Sequence, residues 1–315
     1  MEHRYSVFGV SVTSDVPFEF RRDEQPRAGG AAVEFTCAED GDLPSEETHA
    51  SDWFTCDERP DGSVYLRWGR YFDFLVEGGG TRIKYRALED GDTAVLQNFL
   101  FGQALSVALV QQGVEPLHAA VIEVDGRGIA LLGDCGYGKS TLAAAFVQAG
   151  SRLVSDDVLV VYRERGRVMA AAGSGRVKLL PDSASAVLRA KSPGVPITAR
   201  AEKRVFRLDE SMLQRCDVPL DAVFVLPSPD VRDRTAEVAI APIAPTRLFH
   251  ELVKNTFVTP LAGASRLERN FDWNARLAAD VRGFCVSYPS GIAKLPAVRD
   301  IILEHRRHRS TEDTQ

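Results

Sequence analysis

The apolar run Ile129-Ala130-Leu131-Leu132 passes directly into Gly133-Asp134-Cys135-Gly136-Tyr137-Gly138-Lys139-Ser140-Thr141, and this junction constrains the fold more than any other part of the chain. It matches the spacing G-x-x-x-x-G-K-[ST], which requires a strand that stops abruptly, a glycine-rich turn, and a helix that starts at the lysine. Gly133, Gly136 and Gly138 let the backbone curl until successive N–H groups point inward. The segment Ser140 to Gln148, with Ala143, Ala144 and Ala145 inside it and Gly150 beyond, reads as the helix. Upstream, Leu117 to Val124 and Ile129 to Leu132 flank Asp125-Gly126-Arg127-Gly128, the signature of a β-hairpin that feeds the loop.

A curled loop of amides at a helix N-terminus binds phosphate. The ligand implied is ATP or another nucleoside triphosphate with Mg²⁺. Gly133, Asp134, Cys135, Gly136, Tyr137, Gly138, Lys139, Ser140 and Thr141 supply the nucleotide contacts. Lys139 reaches the β- and γ-phosphates, and the Ser140 hydroxyl completes the cation's coordination. Phosphoryl transfer also needs one carboxylate for the metal and another for the proton of an attacking hydroxyl. Asp156-Asp157 ends the short apolar strand Arg152 to Ser155, 23 residues past Gly133, so β-α-β geometry returns the pair beside the loop. Adjacent strand residues point to opposite faces, which predicts different roles for the two aspartates.

The rest of the chain sets bounds. With 315 residues, 44% hydrophobic and 26% charged, there is material for one large domain or two ordinary ones, and global disorder is excluded. A net charge of -6 gives no overall footprint for nucleic acid or anionic membrane. No apolar run approaches the roughly 20 residues of a membrane span, and Met1-Glu2-His3-Arg4 does not open a signal peptide, so a soluble, cytoplasmic protein is expected. The five cysteines form no Cys-x-x-Cys pair and read as free thiols. Tyr5 to Val10, Ala32 to Thr36, Val64 to Trp68 and Phe72 to Val76 predict strands, and the acidic stretch Ala38 to Asp52 a solvated loop. The expected organisation is a β-rich N-terminal domain at 1–92, a linking helix at 93–113, a mixed α/β catalytic domain at 114–305 and a disordered tail at 306–315.

Leu117-His118-Ala119-Ala120, the glycine loop and Leu153-Val154-Ser155-Asp156-Asp157 together resemble the catalytic domain of HPr kinase/phosphorylase and its HPr-kinase-like relatives. The hairpin running into the loop is also like phosphoenolpyruvate carboxykinase and unlike Ras-type proteins. The resemblance covers roughly Leu117 to Tyr162 and implies a P-loop core of that type behind the small β-rich domain. It further implies that Asp156 is the general base, that Asp157 helps Ser140 hold Mg²⁺, and that His118 sits beside the aspartates and tunes them; with Lys139 these are the catalytic candidates. Two departures stand out: Thr141 replaces the family's usual glutamate, and Gly173-Ser174-Gly175-Arg176-Val177-Lys178-Leu179-Leu180-Pro181-Asp182 lacks its downstream signature. Both weigh against HPr as substrate and against the reverse phosphorylase reaction. The layout is more similar to stand-alone kinases of peptide-modification gene clusters, including lasso peptide kinases.

Arg176, Lys178, Lys203 and Arg204 are candidates to neutralise the transferring phosphate, with Lys203-Arg204 favoured because the pair enters an apolar-alternating stretch. The function expected is an ATP- and Mg²⁺-dependent kinase acting on an aliphatic hydroxyl, foremost a serine of a peptide or protein. The alternatives are a small-molecule alcohol kinase and a non-catalytic nucleotide-binding regulatory module. No nucleic-acid or membrane partner is implied, and oligomerisation stays open.

Overall fold

Which strands neighbour Arg127–Leu132 decides where the glycine loop comes to rest. The computed structural model describes residues 2–19, 31–44, 53–198, 201–232, 237–257, 261 and 263–312. Arg127–Leu132 lies inside an eight-stranded sheet, antiparallel to its hairpin partner Ala119–Val124 on one side and parallel to Val218–Val225 on the other. Arg152–Ser155 adds antiparallel to the outer side of Ala119–Val124. Arg282–Ser287 runs parallel to Val218–Val225 and carries Ala239–Pro242 antiparallel at its far edge.

Both faces of this sheet are covered, which is why its strands read as unbroken apolar runs. Ile129, Leu131, Ala222 and Phe224 face the helix Lys139–Gln148 through Leu142, Ala143 and Phe146. Ala130, Leu132, Val223 and Val225 face Leu248 and Leu252 of the helix Pro245–Lys254 and Leu277 of Ala264–Asp280. The two-residue alternation of a strand thus feeds two cores at once.

The N-terminal residues form a separate seven-stranded sheet in the order His3–Val7, Val10–Ser14, Ala32–Cys37, Arg82–Ala87, Phe72–Val76, Val64–Trp68, Phe54–Glu58. The single strand expected at Tyr5 to Val10 is instead a hairpin, turning at Phe8 (φ 53°) and Gly9 (φ 77°). Arg82–Ala87 alternates Arg, Ile, Lys, Tyr and Arg with a matching burial alternation, a strand signal carried by its apolar half alone. Residues 45–52 of the acidic stretch lie outside the described residues. The expected linking helix at 93–113 is divided into Thr93–Phe99, a wider π-turn at Leu100–Ala104, and Leu105–Gln111. Val158, Val160 and Ala171 pack into the same apolar cluster as this helix and the N-terminal sheet. The Phe8 N–H also donates to the Ala172 carbonyl at 2.7 Å, tying the hairpin tip to the segment beside the aspartates.

At the other end, the helix Leu295–Glu312 continues through residues 306–312, where composition predicts a disordered tail. Val298 and Ile302 are buried against the sheet, and Arg306 bonds Asp125 at 2.8 Å. Arg306 also reaches the Asp221 carboxylate at 3.4 Å, so the start of the basic run is pinned to the fold. All five cysteines are free.

Candidate active site

Three glycines adopt left-handed backbone in the loop: Gly133 (φ 148°), Gly136 (φ 85°) and Gly138 (φ 84°). The positive φ is what calls for glycine immediately before the helix, and a Cβ on Gly138 would stand 3.2 Å from the Arg232 guanidinium, which would have to give slightly. Lys139 opens that helix and is 5% exposed. Its ammonium donates to the carbonyls of Gly133 (2.5 Å) and Asp134 (3.0 Å), so the loop closes around its own lysine. Burial pulls the Lys139 ammonium below its ordinary pKa, against the opposing pull of Asp156, Cys135 and Asp157.

Asp156 and Asp157 lie just past the strand Arg152–Ser155. Their divergence comes from a tight turn rather than from strand alternation. The Ser155 hydroxyl donates to the Val158 carbonyl at 2.5 Å, and Asp157 takes a left-handed φ of 75°. Asp156 is buried; Oδ2 accepts the Lys178 N–H at 3.0 Å, whereas Oδ1 is buried without a partner. Burial, and then the charge of Asp157, push the Asp156 carboxyl above the usual range, with Lys178 and the Ser140 hydroxyl opposing.

Asp157 titrates in the opposite direction. Burial alone would raise its pKa, but Lys178 and His118 together hold the carboxyl well below the usual range. Lys178 Nζ lies 2.5 Å from Oδ2, and His118 Nδ1 lies 3.2 Å from Oδ1 and 2.9 Å from the Asp157 carbonyl oxygen. The imidazole is therefore oriented by two oxygens of one residue, while its backbone N–H donates to the Asn255 carbonyl at 2.7 Å. Two neighbouring carboxyls driven apart in pKa are a common basis for dividing acid–base labour.

The downstream cations separate. Lys178, on the strand Arg176–Leu179, touches both aspartates, one through its backbone and one through its ammonium. Lys203 lies near enough to Lys139 to disfavour its charge. Arg204 turns away, its guanidinium 3.4 Å from the carbonyls of Pro193 and Gly194, because its strand is fixed by pairing with Arg176–Leu179. Arg176 bonds Asn98 (3.1 Å) and the Gln97 carbonyl (2.9 Å) and lies over Phe101; burial pushes it down to about 10, which leaves it charged. Arg232 is not marked by the sequence. It stands beside Gly138, stacks 5.4 Å over Tyr288 and has a buried Nε without a partner. No local motif signals it, since a distant segment of chain delivers it to the loop.

The aspartates line a cavity of about 20 Å³ together with Phe8, Phe101, Gly102, Arg176 and Lys178. Among the described residues no cluster of three or more His, Cys, Asp or Glu side chains is arranged to hold a metal ion. The Ser140 hydroxyl and the two aspartates nevertheless form the hard-oxygen set that suits Mg²⁺, an ion that draws its remaining ligands from phosphates and water. Asp157 already holds a cation, the Lys178 ammonium, against its Oδ2, so its carboxylate is a place where positive charge is stabilised.

Residues 112–180 match the family model described as the HPr Serine kinase C-terminal domain. The HPr kinase/phosphorylase of Lactobacillus delbrueckii subsp. bulgaricus is 37% identical over 88 residues, which is 28% of this chain and 26% of that protein. The HPr kinase/phosphorylase of Prosthecochloris aestuarii is 38% identical over 60 residues, covering 19% of this chain and 18% of the other. The matched region thus spans about a quarter or less of these relatives. The solved HPr(Ser) kinase/phosphatase from Coxiella burnetii aligns with 62% of this chain and 98% of its own at 14% identity and a TM-score of 0.35. Among the described residues no helix is long and apolar enough to cross a membrane.

Proposed function

We propose, for a chain whose residues 112–180 match the HPr Serine kinase C-terminal domain, that it transfers the γ-phosphoryl group of ATP to an aliphatic hydroxyl, foremost a serine of a peptide or protein. One observation carries this reading: Asp156, buried and with a free acceptor oxygen, stands beside Asp157 and within electrostatic reach of Lys139 at the mouth of the glycine loop. In this reading Lys139 leaves the loop carbonyls for the β- and γ-phosphates, and the amides from Gly133 to Thr141 hold the rest. Ser140 and Asp157 hold Mg²⁺, which when bound screens the phosphate charge. Asp156 takes the acceptor's proton as the acceptor oxygen forms its bond to γ-phosphorus and the bond to the bridging β–γ oxygen breaks, releasing ADP. His118 keeps Asp157 oriented. Arg232 and Lys203 are the cations best located to offset charge at the loop; Arg176 acts through the wall it braces.

The alternative acceptor is a small-molecule alcohol: the cavity beside the aspartates has room for about one water, which suits a hydroxymethyl group, whether of a serine or of a small alcohol, rather than a bulkier side chain. The test for both is incubation with γ-labelled ATP, Mg²⁺ and a fractionated cell extract, beside Lys139→Ala. Lys139-dependent label in an acid-stable peptide or protein supports the first reading, and label in small molecules the second. Nucleotide-dependent stabilisation without any transfer identifies a regulatory binding module instead.

A further inference from the structure

Lys178 holds one aspartate through its backbone and the other through its side chain. Its strand does not need the ammonium for placement. The residue pairs with Val205 in the ladder, and its N–H already fixes the segment to Asp156 at 3.0 Å. Nor does Asp157 depend on it for orientation, because His118 also contacts that carboxylate. Beyond the carboxylate the ammonium borders a small cavity: Phe8 and Phe101 line it, and a Cβ on Gly102 would make only ordinary contact with Nζ at 3.9 Å. The π-turn at Leu100–Ala104 brings Gly102 there, and such turns recur at functional sites.

We infer that Lys178 is a stand-in cation, whose ammonium occupies Asp157 until a divalent ion displaces it and then remains on the acceptor side of the aspartates as positive charge for the phosphoryl group in transfer. This rests on the reading of Asp157 as a ligand of the catalytic cation. One carboxylate oxygen does not serve an ammonium and a divalent ion equally well, because the two cations repel at that distance. Lysine is well suited to such displacement, since a compact point charge on a flexible stem withdraws without leaving the cavity and changes no protonation state in doing so. The site would thus remain neutralised when empty and take up the ion only when phosphate oxygens contribute ligands. Divalent binding and nucleotide binding become linked.

The test uses the full chain with Mn²⁺ and a non-hydrolysable ATP analogue, following free Mn²⁺ by electron paramagnetic resonance. Lys178→Met is expected to bind Mn²⁺ at least about 10-fold more tightly, because the competitor is gone, while transfer at saturating cation falls about 100-fold, the scale of one lost charge contact in a transition state. Lys178→Arg is expected to retain the weak Mn²⁺ binding. A purely structural role predicts the opposite pairing, with cation binding and transfer weakened together, and that result overturns the inference. Unchanged Mn²⁺ affinity overturns it as well, as does unimpaired transfer. If Lys178→Met melts early, Lys178→Gln keeps a hydrogen bond to Asp157 without the charge and is read by the same titration. A wild-type protein that takes up neither nucleotide nor Mn²⁺ refutes the functional reading itself, whereas one that takes up both with no tightening in the variants refutes only this inference.

Discussion

Asparagine at position 156 separates the two properties that the structure combines there, a proton acceptor and a buried charge. The side chain is nearly isosteric. Its carbonyl oxygen accepts the Lys178 N–H that now reaches Oδ2 at 3.0 Å, and its amide takes the place of the unpartnered Oδ1. Fold and nucleotide binding should therefore persist in Asp156→Asn, while transfer falls about 10²- to 10⁴-fold, the range of general-base contributions, equivalent to roughly 3–5 kcal/mol of barrier. The pH profile sharpens the test. Because burial and Asp157 raise the Asp156 pKa, wild-type transfer should climb with pH along a limb displaced above the ordinary carboxylate range, and that limb should vanish in the variant. Stability carries the complementary sign. A carboxyl whose folded pKa is raised favours the folded state below its unfolded value of about 4, and that contribution is lost as pH rises through the raised folded value. Wild type should thus lose stability relative to Asp156→Asn on going from acid to neutral pH. The measurements are single-turnover transfer with labelled ATP across pH, nucleotide binding by calorimetry, and melting curves followed from about pH 4 upward. Unchanged turnover in a variant that binds nucleotide normally would sink the base assignment.

Other perturbations test the surrounding frame. Gly80→Ala places a Cβ 2.1 Å from the Ala108 carbonyl oxygen at φ +68°, so left-handed strain and overpacking should together cost about 2–5 kcal/mol, visible as a lower urea midpoint. Arg266→Met removes the buried partner of Glu115, whose Oε2 lies 3.1 Å from the guanidinium; a loss of about 3–5 kcal/mol is expected, and Glu115→Leu in the same chain should recover much of it if the stranded carboxylate is the cause. Asp157 has the opposite linkage to Asp156: its depressed folded pKa stabilises the protein above about pH 4 and is lost as pH falls, so Asp157→Asn should flatten the acid side of the melting profile.

The strand, loop and helix from Ile129 to Gln148 were determined by local sequence alone, because glycine backbone freedom, an abrupt strand end and an alanine-rich helix are properties of neighbouring residues. The same holds for the hairpin ahead of them and for the strand that delivers Asp156 and Asp157. How the aspartates differ was not legible. Their separation depends on a turn closed by Ser155 and Val158, on a lysine from another sheet and on a histidine 39 residues upstream, and their opposed pKa displacements arise only when those groups meet out of water. The choice among downstream cations was likewise tertiary. Arg204 and Lys178 sit on paired strands, and the register Lys178 opposite Val205, with Leu179 opposite Arg204, sends one to the aspartates and the other to the carbonyls of Pro193 and Gly194. Arg232 reaches Gly138 across the fold without any local signal. Composition predicts a disordered tail after residue 305, whereas the helix runs on through residue 312, and Arg306 at its entry meets Asp125 and Asp221 from distant parts of the chain. Short-range backbone rules thus determined the phosphate-binding element, and only the assembled sheets decided which charges surround it, because desolvation and charge pairing depend on distance in space rather than along the chain.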